Sequence, residues 1–170
     1  MLDVSNRLKS LLEQTEMSVS MTRTTDIFIP LIDRSNFANQ KGADIFVSIP
    51  ANAATNPAAN GIETFYFAAQ GVRNNTSIHH GFDSTFLTQN LAESRAQDSR
   101  LLAEKIQYRL VERLQLTDRG GKQGNFSVIR ETNMAAVLTE LGFMTNANDL
   151  ALLVSDFGRT KAAEGIYLGI

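Results

Sequence analysis

The chain is 170 residues long, a length that fits one domain able to bury about 70% of its unfolded surface. Hydrophobic residues make up 43% and charged residues 20%, an ordinary globular balance. The net charge of −2 and the pI near 5.7 give no electrostatic basis for binding nucleic acid or an anionic membrane. Cysteine is absent, which excludes disulfides and thiolate sites. No apolar run approaches the roughly 18 residues of a membrane span. The opening MLDVSNRLKS has no apolar signal core, so the expectation is a chain without an export signal.

In chain order, Val4, Leu8, Leu11 and Leu12 recur on one face of an amphipathic helix, with Asp3 or Ser5 as its expected cap. Residues 17–23 (MSVSMTR) alternate, with Met17, Val19 and Met21 on one side, and predict a strand. Pro30 suits the first turn of a helix over residues 31–40 that ends before Gly42. Residues 44–49 (DIFVSI) form a nearly continuous apolar run, the pattern of a strand buried on both faces, and Pro50 stops it. Residues 51–60 read as a loop and 61–67 (GIETFYF) as a strand. Residues 68–83 are loop-like and hold His79 and His80.

A long helix is expected over residues 84–116, where Leu87, Leu91, Leu102, Ile106, Leu110 and Leu114 keep the helical period. Residues 118–121 (DRGG) predict a turn. Residues 125–130 (NFSVIR) and 135–141 (AAVLTEL) predict two further strands, followed by a short helix and a closing helix over residues 156–168. Strands alternating with helices give one α/β domain spanning residues 1–170, with a mostly parallel twisted sheet and helices on both faces.

Glu140 stands out within this pattern. It ends an apolar strand, just before a sharp turn at Gly142, and a carboxylate there is costly to bury unless it is paired or used. In α/β proteins the ends of strands are where chemistry is placed. Pattern alone leaves two readings open: a functional carboxylate, or one that caps a helix or joins a salt bridge.

The strings MTRTTD (21–26), RSNFANQKGADIFVSI (34–49), GIETFY (61–66) and NFSVIRETNMAAVLTELGFMTN (125–146) resemble the zinc-dependent N-acetylmuramoyl-L-alanine amidases. These enzymes cleave the amide between the glycan lactyl group and the stem peptide of peptidoglycan. The resemblance runs over nearly the whole chain and is weakest over residues 68–100. It implies a cell-wall hydrolase, located in the wall or outside the cell, with peptidoglycan as partner. It also implies a zinc held by two histidines and a glutamate, and a second glutamate that moves the proton between the attacking water and the leaving amine. Glu140, in LTELGF, matches that second glutamate.

The metal ligands are where the pattern departs. The family's first histidine and glutamate ligand lie in a strand and glycine-rich segment that this sequence does not contain, so the first family strand is expected to be missing. The family's other histidine follows the FVSI strand. Here the string is Ser48–Ile49–Pro50–Ala51–Asn52–Ala53, and proline has no donor for a metal. The expectation is that this chain does not bind the family's zinc. His79 and His80 are a possible substitute pair, with Asp83 and Glu63 near in sequence, although adjacent residues on an extended chain point to opposite sides.

Two further groups match the family's substrate face. Arg130 in VIRET suits a stem-peptide carboxylate through its planar fork, or is an exposed surface arginine. Asn52 either hydrogen-bonds substrate or turns the chain. Ala135 stands where the family usually has proline. Three readings follow: an amidase by descent, a non-catalytic peptidoglycan-binding relative, or a decayed fragment.

Overall fold

A computed structural model describes residues 1–68 and 84–170. Six helices and four strands follow in order: α1 (Leu2–Leu12), α2 (Leu31–Lys41), β1 (Ile45–Ser48), β2 (Ile62–Tyr66), α3 (Ser84–Leu114), β3 (Asp118–Gln123), α4 (Ser127–Arg130), β4 (Ala135–Glu140), α5 (Ala147–Val154) and α6 (Asp156–Gly169). The sheet order is β1-β4-β2-β3. β1 runs parallel to β4 and β2 parallel to β3, while β2 and β4 are antiparallel. The expected mostly parallel sheet therefore holds for the two outer pairings, and the central pairing makes the sheet mixed.

Period-2 alternation along β4 divides the core. Val137 and Leu141 join Val4, Leu8, Ile106, Leu110 and Ile166 in the larger cluster, built with α1, α3 and α6. Ala136 and Leu138 face the opposite way, against Ala38 of α2, Phe46 of β1, and Val128 and Ile129 of α4. Helices thus cover both faces, as the sequence pattern requires. Each fully buried aliphatic side chain contributes about 1.5–3 kcal/mol. α6 lies close on α3 because Gly169 has no Cβ: one placed there falls 2.6 Å from the Ile106 Cα.

The chain departs from its sequence expectations in four places. Residues 17–23 do not form a strand: among the described residues they pair with no neighbour, although Val19 packs on the larger core. Residues 118–121 are not a turn but the start of β3, which pairs with β2 despite its poor strand composition, DRGGKQ. Strand propensity is weak where cross-strand context dominates. Residues 125–130 form the short helix α4 rather than a strand, because Val128 and Ile129 bury as neighbours against α2 and β4. Finally, Met1 occupies the cap position of α1 with no side-chain cap. Asp3 instead sits in the first turn, paired with Arg7 and Arg159.

Candidate functional site

β1 and β4 run parallel, so their carboxyl ends emerge together. β4 ends at Glu140, and the chain beyond β1 continues alongside it. The Leu141 N–H donates to the Pro50 carbonyl (3.3 Å), the Asn52 N–H to the Gly142 carbonyl (2.8 Å), and the Met144 N–H to the Asn52 carbonyl (2.8 Å). Pro50 has no N–H to give, and its carbonyl carries the pairing past it. Gly142 turns the chain at φ +144°, a conformation that side chains rarely adopt. Asp149, 1% exposed, fixes the turn by accepting from the Phe143 N–H (2.9 Å) and the Gly61 N–H (2.8 Å). Asn146 caps α5 and holds Asp149 at that point in the chain.

Within this frame Glu140 pairs across the antiparallel ladder with Glu63 of β2, and the two carboxylates have opposite surroundings. Glu63 is 6% exposed and fully partnered. Lys122 Nζ (2.7 Å) and Arg119 Nε (3.0 Å) donate to its Oε2, and Asn52 Nδ2 donates to its Oε1 (2.8 Å). Burial alone raises a carboxyl pKa, but here the Lys122 and Arg119 hydrogen bonds and charges outweigh it and hold Glu63 below its usual range. Arg119 also lies over the Phe143 ring, 5.0 Å from its centroid. Glu140, by contrast, has a buried Oε2 with no hydrogen-bond partner among the described residues. Burial, reinforced by the negative Glu63 nearby, pushes it up to about 7. Neighbouring carboxylates driven apart in this way assume different roles, one fixed as an anion and the other able to exchange a proton near neutrality.

Of the residues singled out from sequence, Asn52 is brought to this site. Its side chain is committed to Glu63 and to accepting from the Ala53 N–H (2.8 Å). Arg130 is not brought beside Glu140. It ends α4 rather than a strand, and its guanidinium donates to Glu131 Oε1 (2.7 Å) and Asn125 Oδ1 (2.6 Å). α4 leads into the amino end of β4, so roughly 17 Å of strand separates its end of the sheet from Glu140. Arg95 of α3 anchors that region, donating to the carbonyls of Ile129 (2.7 Å), Met134 (3.0 Å) and Arg130 (3.2 Å). His79, His80 and Asp83 lie outside the described residues.

In the sequence Glu63 stands out only as a carboxylate near His79 and His80, and nothing marks Arg119 or Lys122. Both basic residues sit in the DRGGKQ string, whose glycines signal a turn. Only the pairing of β3 with β2 brings them to Glu63.

An α/β domain with a carboxyl oxygen buried and, among the described residues, unpartnered at the carboxyl end of parallel strands has its candidate site where α/β proteins place their chemistry. The chain belongs to the N-acetylmuramoyl-L-alanine amidase family, type 3, whose family model matches residues 1–170. It is 45% identical over 137 residues to an uncharacterised cell wall amidase of Bacillus anthracis, covering 81% of this chain and 22% of that protein. It is 34% identical to the N-acetylmuramoyl-L-alanine amidase LytC of Bacillus subtilis, covering 99% of this chain and 29% of LytC. The chain thus spans less than a third of the length of either relative. Among solved structures, the catalytic domain of the amidase CwlV from Bacillus (Paenibacillus) polymyxa var. colistinus superposes with a TM-score of 0.79 at 32% identity, covering 99% of this chain and 79% of that domain.

Zinc, which the family resemblance implies, does not fit the described residues. They contain no group of three His, Cys, Asp or Glu side chains placed to hold a metal. Glu63, the carboxylate nearest Glu140 across the sheet, has both oxygens engaged by Asn52, Arg119 and Lys122. Pro50 stands where the resemblance places a histidine, and it has no side-chain donor to offer.

Proposed function

We propose that this chain acts on peptidoglycan at the amide between the lactyl group and L-alanine, in the cell wall or outside the cell. Glu140 is the proton-transfer residue of that reaction. The observation that carries this reading is its half-buried carboxyl at the end of β4, whose Oε2 is buried without a partner among the described residues and whose pKa burial raises to about 7. An ionised Glu140 accepts a proton from the water that attacks the amide carbonyl. The resulting acid then donates that proton to the amide nitrogen as the C–N bond breaks, leaving a lactyl carboxylate and a free amine. No step is assigned to a metal.

Asn52 and Glu63 have a positioning role in this reading. Asn52 ties the loop after β1 to Glu63, and Glu63 keeps a negative charge next to Glu140. Arg130 is proposed as a distal contact for a stem-peptide carboxylate. Its helix packs on the same sheet face as Ala136 and Leu138, the face to which strand alternation assigns Glu140. An extended peptide of about five residues spans the roughly 17 Å between the two ends of β4.

The experiment is release of new amino termini from purified peptidoglycan, with zinc supplied in excess so that metal supply does not limit the result. Wild-type chain is expected to release them, and Glu140→Gln to lower the rate by about 10²–10⁴-fold. Folded wild-type protein that releases none, or a Glu140→Gln variant of equal rate, overturns the reading.

A further inference from the structure

β3 reaches the site through an irregularity in its pairing with β2. Ile62 pairs with Asp118 and Thr64 with Gly121, so Glu63 alone faces both Arg119 and Gly120. Gly120 supplies the positive φ, +83°, that the extra residue needs. Arg119 and Lys122 are three positions apart, and strict alternation would send them to opposite faces of the sheet. The extra residue returns Lys122 to the face of Arg119, in register with Phe65. Phe65 packs against Ala136 and Leu138, so this is also the face of Glu63 and Glu140. Bulges re-aim side chains in this way beside functional sites.

The outcome is two cations on one carboxylate oxygen. Glu63 Oε2 accepts from both Lys122 Nζ (2.7 Å) and Arg119 Nε (3.0 Å), while Asn52 takes Oε1. One arginine can match a carboxylate by itself. The second cation leaves two positive charges against one negative. Both side chains stay open to solvent, 35% exposed for Arg119 and 40% for Lys122. Arg119 Nη2 and the remaining N–H groups of Lys122 have no partner among the described residues.

Adjacent strands lie about 5 Å apart, so the cationic groups on Glu63 stand roughly 5–10 Å from Glu140, one to two strand spacings away. Two residues of extended peptide span about 7 Å. Lys122 also lies on the way from Glu140 to Arg130, because Asn125, a little further along the chain, accepts from Arg130 Nη1 (2.6 Å).

We propose that Arg119 and Lys122 form an anion subsite for a free carboxylate on the second residue of the stem peptide, counted from the amide that is cut. The chain then prefers stem peptides in which that group is ionised over those in which it is amidated. A carboxylate accepts from Arg119 Nη2 and Lys122 Nζ together, whereas a carboxamide offers one oxygen and turns its own N–H donors toward two cations. Glu63 holds both cations in place before substrate arrives, and its own oxygens are already filled. The subsite rests on peptidoglycan being the substrate and adds which stem peptides are taken.

The test is binding of two synthetic muramyl dipeptides to the whole chain carrying Glu140→Gln, which keeps the probes uncut. Both begin with N-acetylmuramoyl-L-alanine. One ends in D-glutamate with its α-carboxylate free and the other in D-isoglutamine, where that group is an amide; the γ-carboxyl is a methylamide in both. Titrations followed by amide NMR give the two affinities. The acid is expected to bind about fivefold more tightly at low salt, with a smaller ratio at about 1 M salt. Lys122→Gln is expected to bring the two affinities together, and Lys122→Arg to keep them apart. A purely structural role for Lys122 lowers both affinities alike and leaves their ratio unchanged. Three results overturn the subsite: equal affinities before any change at Lys122, a ratio that Lys122→Gln does not alter, or no binding of either dipeptide at about 10 mM. Hydrolysis is read separately. Release of amino termini without the preference sinks the subsite alone, and the preference without release sinks only the hydrolytic reading.

Discussion

Glu140 and Glu63 are one rung of an antiparallel ladder, and the chain treats them in opposite ways. Their proton linkages are opposite too. A carboxyl whose folded pKa is raised leaves the native state better protonated than the unfolded chain, so its ionisation costs stability as pH rises. For Glu140 the cost starts above the ordinary value of 4.5 and is complete above about 7. After solvent screening it amounts to roughly 1–3 kcal/mol. Glu63, held below its usual range, contributes stability that is present at neutral pH and lost as pH falls through its folded value. Glu140→Gln is therefore expected to melt higher than wild type at pH 8 and to lose that advantage at pH 4.5. Thermal melts across that range check this, and an unchanged difference across pH contradicts it. The suspicion attached to Glu140 was legible in the sequence, since a charge follows an apolar run there. Its partner was not, because the Glu63–Glu140 pairing joins residues far apart in the chain.

At the scale of elements, the site depends on the turn after β4. Asp149 has both Gly61 and Phe143 N–H groups on one oxygen, and its side chain lies 3.3 Å from where a Gly142 Cβ would stand. Asp149→Ala leaves two buried donors unpaired and is expected to cost about 2–4 kcal/mol in urea unfolding. The Gly61–Asp149 tie between the loop before β2 and α5 is lost with it. A cost below about 0.5 kcal/mol rules out this role for Asp149.

The elements with strong periodicity (α1, α2, α3, β4 and α6) could be read from the sequence because their own side chains determine which faces are buried. β3 and α4 could not. DRGGKQ pairs because β2 offers an edge and Glu63 attracts its two cations, and NFSVIR coils because two adjacent apolar residues both find a surface beneath the sheet. In each case the deciding contact lies on another element. The same limit holds for Arg130: its string resembles a family motif, but the end of the sheet it reaches is set by contacts of α4 with other elements.

For the molecule as a whole, two apolar clusters on opposite sheet faces define one α/β domain, and the family model spans it throughout. Among the described residues no helix is long and apolar enough to cross a membrane. The carboxyl end of β4 carries Glu140 and its ionisable neighbours, and Arg130 lies at the amino end. Resemblance made the family legible from residue strings, because those strings fill the strands and loops that frame Glu140. It could not show what the retained carboxyl does with Pro50 in the neighbouring position.

The claim on which the rest depends is that Glu140 keeps a proton that it gives up near neutral pH. Carbon-13 NMR of side-chain carboxyls measures this directly, with the Glu140 signal assigned by its absence in Glu140→Gln. A titration midpoint near 7 is expected, falling when Glu63→Gln removes the neighbouring charge. A midpoint at the ordinary 4.5 would mean that the carboxyl is hydrated or paired, and would contradict the account.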